Sequence, residues 1–315
     1  MSNTTPRIRS ILLVLIIGSL LILFAGTAAA EEIFYQENGQ YFTYRVEQNQ
    51  ATLLSFCVPD SPDTPSTIYL PSELGGYPLK TIGPYALDDS EYKPYGGYSS
   101  EKVETIVVPE GVEVLEENAL GFMLHVRNVI LPSTIKTIFP SFHMCETQIT
   151  VDEKNSRFQV IDGFLVDVEN SVLLYTSPEA AMNELPAVRS IGSFALANYR
   201  RESLVFPDTT EYIGSYACFD TPEIRTIEIP GSVKEIADEA FYAMVVTDVI
   251  LHEGIERIGA YAFCNLEIEN ITVPESVVWL GYDFADGCED TLVLNPNCYN
   301  ETEEEYLMRY ESENE

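Results

Sequence analysis

The sequence predicts a mainly β solenoid of about eight turns of 21–23 residues. Three observations predict it: a two-part motif recurs along the chain, the spacing between copies is nearly constant, and apolar residues alternate within the first half of each copy.

Each copy is an alternating stretch closed by Pro, then an apolar residue followed by Gly or its equivalent, then Ala beside an aromatic residue or Leu. The first runs from Ile68-Tyr69-Leu70-Pro71 to Ile82-Gly83-Pro84-Tyr85-Ala86-Leu87. The second has Ile106-Val107-Val108-Pro109 with Leu115 and Ala119-Leu120, and the third Val129-Ile130-Leu131-Pro132 with Ile138 and Phe142. After an interruption the series resumes with Leu185-Pro186 and Ile191-Gly192-Ser193-Phe194-Ala195-Leu196. Leu204-Val205-Phe206-Pro207 with Ile213-Gly214, and Ile227-Glu228-Ile229-Pro230 with Ile236 and Ala240-Phe241, follow it. The last two are Val249-Ile250-Leu251-His252 with Ile258-Gly259, and Ile271-Thr272-Val273-Pro274 with Leu280-Gly281. Pro109 to Pro132 is a step of 23 residues, Pro186 to Pro207 of 21 and Pro207 to Pro230 of 23, and His252 and Pro274 follow at steps of 22.

One coil of a solenoid accounts for such a period. A single coil cannot bury its own apolar residues, so coils stack and share a core. Each coil is expected to contribute a short strand, which puts Ile106, Val129, Ile227, Val249 and Ile271 in one inward column. Alternation puts Val108, Leu131, Phe206, Ile229, Leu251 and Val273 in a second. Pro closes the strand because it has no N–H to donate. Gly after Ile marks a turn with little room for a side chain.

The first thirty residues lie outside this pattern. Arg7 and Arg9 precede an apolar run from Ile11 to Ala25, and Ala28-Ala29-Ala30 ends before Glu31-Glu32. That is the layout of a secretory signal peptide cleaved after Ala30, with an uncleaved N-terminal anchor as the alternative. Export to the surface or the exterior follows as the expected location. Removing Arg7 and Arg9 leaves 15 basic residues against 50 acidic ones, moving the net charge from −33 to −35. A field of that sign repels phosphate backbones, so nucleic acid is not an expected partner. Nor does the mature chain offer a second segment for membrane insertion.

Signatures of catalysis are missing: there is no Gly-x-Ser-x-Gly, no His-Glu-x-x-His and no phosphate-cradling Gly loop. His143 and Cys145 are close in sequence, but no third group orients them. Only His125, His143 and His252 could join cysteines at a metal, and no Cys-x-x-Cys pair exists. The expectation is a protein that is not an enzyme and needs no cofactor or metal.

Segments such as Ile227 to Phe241 and Val249 to Cys264 resemble the BspA-like leucine-rich repeat family. The resemblance covers roughly residues 41–295 and implies a right-handed, leucine-rich-repeat-type coil with specialised ends. Phe42 to Val46 and Ala51 to Cys57 resemble the family's N-terminal hairpin cap. Ile149 to Phe158, Ile161 to Val166 and Val172 to Tyr175 resemble the hairpin that interrupts such arrays. The expected organisation is a signal peptide at 1–30, a β-hairpin cap at 31–66 and repeats one to three at 67–146. An inserted hairpin at 147–184, repeats four to eight at 185–294 and an acidic C-terminal cap or tail at 295–315, fraying at its end, complete it. Departures from the family pattern are a compressed third copy around Phe139 to Phe142, His252 in place of Pro, and an insertion from Asp88 to Lys102.

Cys145, Cys264 and Cys288 fall at or near the position where the family carries a small buried Cys. Cys288 and Cys298 are the best candidates for a disulfide, tying the last coil to its cap.

The expected binding surface is the outward row between the inward columns: Val107, Ile130, Val205, Glu228, Ile250 and Thr272. Thr105, Asn128, Ser203, Thr226, Asp248 and Asn270 flank it. Tyr92, Tyr95 and Tyr98 in the insertion are the other candidates, since exposed aromatic residues supply contact area. Such rows suit a protein or glycan on a host, matrix or envelope surface, and the family resemblance implies adhesion. A structural spacer without a specific ligand is the second reading, and an unrecognised hydrolase a distant third.

Overall fold

The structure is a computed structural model that describes residues 32–37, 39–58, 61–88, 101–123, 125–140, 142, 145–219, 221, 224–264, 268, 271–285, 292–293 and 298–313. The expected signal peptide, Tyr92, Tyr95, Tyr98, His143, Asn270 and Cys288 lie outside the described residues.

Stacked coils build the chain, and each regular coil places strands on two faces. On the front face the strands that precede the Pro positions run parallel. Thr67–Tyr69, Thr105–Val107, Asn128–Leu131 and Gln148–Val151 form one sheet, and Ser203–Val205, Thr226–Ile229 and Asp248–Leu251 another. The register pairs Ile106 with Val129 and Ile227 with Val249, which stacks like residues in columns. Ile106, Val129, Ile227, Val249 and Ile271 are all buried. So are Val108, Leu131, Phe206, Ile229 and Val273, while Leu251 is half-buried.

The sequence led us to expect one strand per coil, and the structure corrects this to two. A back ladder runs through Tyr77–Ile82, Val114–Leu115 and Thr137–Ile138. It resumes through Ser190–Ile191, Tyr212–Ile213, Glu235–Ile236, Arg257–Ile258, Trp279–Leu280 and Tyr299–Asn300. All but the first of these strands are two residues long, too short for a period of two to show in sequence. The residue after each short strand donates to the coil before it, and in several copies it is Gly: Gly214 N donates to Ile191 O at 2.9 Å and Gly281 N to Ile258 O at 2.8 Å. A Cβ on Gly259 would collide with the backbone of Ala237 and Asp238 in the preceding coil, so close coil contact requires glycine there.

Two antiparallel meanders begin the two halves of the stack. Ile33–Glu37, Gln40–Glu47 and Gln50–Cys57 pair in order, and the third strand runs parallel to Tyr77–Ile82. Phe158–Ile161, Phe164–Asp167 and Val172–Thr176 repeat the arrangement, the third running parallel to Ser190–Ile191. This internal meander is buried on both faces, as alternation along a strand allows. Leu165 and Tyr175 pack into the core of the N-terminal half, whereas Phe164, Val166 and Leu173 pack into that of the C-terminal half. Arg157 holds its ends together, with Nη2 2.8 Å from Asp167 Oδ2. Burial raises the Asp167 pKa, but hydrogen bonds from Arg157 and Asn170 outweigh it and hold the carboxyl below its usual range.

Two further differences from the sequence reading concern the segments around the meanders. Gln148–Val151 is a rung of the front ladder, parallel to Asn128–Leu131. Asp152 follows it where most other copies have Pro, so the punctuation that marks a copy is missing. The copy at Leu185-Pro186 contributes to the back ladder alone.

Within the expected acidic cap or tail at 295–315, Glu303–Glu313 is an α-helix rather than a frayed segment. Thr302 and Glu305 form a capping box: Glu305 Oε2 accepts from Thr302 N at 2.9 Å, and Thr302 Oγ1 accepts from Glu305 N at 3.4 Å. Arg309 then ties the helix to the coils, with Nη1 2.8 Å from Asp238 Oδ2 and Nε 3.0 Å from Glu301 Oε1. Hydrogen bonds from the Tyr299 hydroxyl and from Thr302 hold the Glu305 carboxyl down to about 2, from an ordinary 4.5. A depressed carboxyl stabilises the folded helix above the unfolded value and loses that contribution as pH falls through the folded one. The helix is therefore expected to loosen between about pH 4.5 and pH 2, seen as exchange broadening of its amides in NMR spectra. Glu305→Gln reduces the dependence.

Candidate interaction surface

The front ladder brings the outward row together. Because side chains alternate across a strand, the residue between two inward columns faces solvent in every rung. Tyr69 is 70% exposed, Ile130 38%, Val205 53% and Ile250 51%. Val107 and Glu228 are half-buried, and Thr150 and Thr272 are exposed. Register places Tyr69 beside Val107 and Val107 beside Ile130, then Val205 beside Glu228 and Glu228 beside Ile250. The row is thus two platforms, one on each half of the stack. Of the flanking residues, Asn128, Ser203 and Asp248 are exposed and Thr105 and Thr226 half-buried.

Sequence reasoning missed Tyr69 and Thr150. Tyr69 was legible, since it stands between the inward Ile68 and Leu70. Thr150 was hidden with its whole rung by Asp152. His252, the departure from Pro, lies on this face with Nε2 2.8 Å from Glu228 Oε1.

The back face is built differently. Charges of alternating sign link its coils: Lys80 Nζ lies 2.9 Å from Glu113 Oε1, and Lys136 Nζ 2.6 Å from Glu113 Oε2. Arg189 Nη2 lies 2.7 Å from Glu211 Oε2. Hydrogen bonds from Lys136 and Lys80 hold the Glu113 carboxyl below its usual range, and Arg189 does the same for Glu211. The Arg257 guanidinium stacks 4.1 Å above the Trp279 ring centre. These side chains satisfy one another from coil to coil, whereas the front row presents Tyr69, Ile130, Val205 and Ile250 to water.

Cys145 and Cys264 are buried, as small apolar residues would be. Burial pushes the Cys218 thiol well above its ordinary range, which keeps it protonated and unreactive. Cys298 is half-buried, and its suggested partner Cys288 lies outside the described residues. Among the described residues no helix is long and apolar enough to cross a membrane.

With this geometry established, comparison with known proteins fixes the lineage. A profile of the BspA type leucine rich repeat region matches six copies over residues 94–163 and 179–291, more than half of the chain. The chain belongs to the BspA-type leucine-rich repeat family. The interval between the two matched stretches of the BspA-type array, residues 164–178, contains the second and third strands of the internal meander.

Solved structures with detectable similarity include the pneumococcal vaccine antigen PcpA, at 14% identity and a TM-score of 0.38, covering 87% of this chain and 100% of that one. A leucine rich cell surface protein from Faecalibacterium prausnitzii A2-165 shares 11% identity at a TM-score of 0.35, covering 89% of this chain and 98% of that one. A leucine-rich repeat protein of T. pallidum shares 14% identity at a TM-score of 0.33, covering 76% and 83%. No curated protein matches the chain at a significant level.

Proposed function

We propose that this BspA-type protein is a secreted or cell-surface binding module that contacts a protein or glycan on a host, matrix or envelope surface through its front row, in the manner of an adhesin. One observation carries the reading: large apolar side chains recur at the outward position of the front ladder, where Tyr69, Val205 and Ile250 are more than half exposed. Strand propensity alone would be satisfied by Thr, as at Thr150 and Thr272. Exposed aromatic and aliphatic groups in adjoining rungs supply the desolvated centre that interfaces need. The basic and apolar leader read at residues 1–30 supports export. The back face, stapled by its own ion pairs, serves cohesion of the stack. The role is binding rather than catalysis.

Affinity capture with residues 31–315, from host-cell, matrix and envelope extracts, tests this. A single saturable partner is expected, and Ile130→Glu with Ile250→Glu lowers its affinity at least tenfold, about 1.4 kcal/mol. Capture that is unchanged by these substitutions would refute the front row, and no saturable partner in any extract would favour a structural spacer.

A further inference from the structure

The two meanders do more than start the two halves of the stack. Each leaves an open groove against the coil that follows it, and the two grooves are built from corresponding parts. In the N-terminal one the cross-strand pair Tyr35 and Phe42 faces Leu70 and Pro71. In the internal one the cross-strand pair Ile161 and Phe164 faces Leu185 and Pro186. Both pairs bracket the turn between the first two meander strands, where Gly39 and Gly163 adopt positive φ. Phe42 and Phe164 are buried floor residues, and each Leu-Pro ends the strand position of its coil. Each groove has a volume of about 450 Å³ and is open to solvent.

Why the space stays open follows from topology. The third strand of each meander joins the back ladder, but the first two pair only with each other and with the third. Among the described residues no front rung stands before Thr67–Tyr69, which ends its sheet, and the Leu185-Pro186 coil carries no front strand. Among the described residues the outer edge of Thr67–Tyr69 pairs with no other strand, the feature to which extended segments add. Both grooves carry negative charge only. Glu73 lines the first, Asp162 and Glu184 line the second, and among the described residues neither is lined by Lys or Arg. The net charge of −33 reinforces that sign.

We infer that the two meander–coil junctions are equivalent binding grooves, each taking an extended segment of a partner protein with alternating apolar and basic residues. Apolar side chains of the segment enter against Tyr35 in one groove and Ile161 in the other, above the buried Phe42 and Phe164. Its basic side chains meet Glu73 in one groove and Glu184 with Asp162 in the other. The protein is then bivalent for such segments, and two linked segments gain avidity over one. These sites are separate from the front row in all but Tyr69, which borders the first groove.

The test uses residues 31–315 and two probes, the acetylated, amidated octapeptides of alternating Lys-Val and alternating Glu-Val, with calorimetry for stoichiometry and amide NMR for location. Two equivalents of the basic peptide bind, shifting amides around Phe42 and Phe164, and the acidic peptide does not bind. Glu73→Lys and Glu184→Lys, both exposed positions, each reduce the stoichiometry to one, with at least a tenfold loss of affinity at the altered groove. The double variant binds none, while Ile130→Glu with Ile250→Glu leaves both sites intact. Absence of binding by the basic peptide overturns the inference. So does unsaturable uptake that persists in the double variant, or shifts confined to the front row.

Discussion

Phe241→Ala is expected to destabilise the protein by about 3–5 kcal/mol, the range for truncating a fully buried aromatic residue. Phe241 has no exposed surface, and its ring stacks on Phe263 of the next coil with centroids 5.1 Å apart and planes 5° from parallel. It also meets Phe206 of the preceding coil edge-on, at 6.1 Å. Removing the ring leaves a cavity shared by three coils. Rigid backbone on both sides limits its collapse, because the ladders hold the coils in place: Phe241 N donates to Ala262 O at 3.0 Å. Urea denaturation measures the effect as a lower midpoint with little change in slope. A loss below about 1 kcal/mol, the ordinary figure for any substitution, would mean that the ring is not part of a shared column.

Tyr175→Phe is expected to cost about 2–4 kcal/mol without removing any apolar contact, since each buried polar group left unpaired costs about 1–3 kcal/mol. The Tyr175 ring stacks on Phe142 at 4.7 Å, in the N-terminal half of the stack. Its buried hydroxyl accepts from Thr147 N at 3.0 Å and from Asn198 Nδ2 at 3.0 Å, and lies 2.8 Å from both Cys145 O and Thr147 O. Asn198 Nδ2 reaches Cys145 O at 2.8 Å and Thr176 O at 3.0 Å. One oxygen thus joins the last coil before the meander, the meander itself and the coil after it. The front ladder offers no substitute, because Gln148–Val151 and Ser203–Val205 end separate sheets. In a stack where each coil touches only its neighbours, a weakened junction separates the unfolding of the two halves. Native-state hydrogen exchange on Tyr175→Phe should therefore show one half opening before the other, where the parent protein opens both together. Equal stability of variant and parent would show that water already satisfies these groups.

How much of this was legible in the sequence depends on the kind of interaction. The inward columns were, because Ile227 and Val249 announce themselves by alternation and a constant step. So was most of the front row, for the same reason. The back ladder was not: two-residue strands such as Glu235–Ile236 carry no period of their own, and only coil-to-coil hydrogen bonds define them. The helix Glu303–Glu313 had a readable signal in Thr302-x-x-Glu305, masked by the run of acidic residues that suggested a tail. The Tyr175 junction had none, since its partners lie 23 to 30 residues away and hydrogen bonds across a fold leave no periodic trace. The grooves were equally hidden, because they arise where strands are missing.

The claim beneath all of this is that successive coils lie in register, and engineered disulfides test it most directly. Val205 and Glu228 are register partners in neighbouring rungs, about 4.8 Å apart, within the roughly 4.4–6.8 Å that a disulfide spans. Val205 and Ile250 are two rungs apart, roughly 9.6 Å, beyond that reach. Mass mapping under mild oxidation is predicted to find the bridge in Val205→Cys with Glu228→Cys and none in Val205→Cys with Ile250→Cys. Bridging in the second variant as readily as in the first, or in neither, would contradict the stacked register.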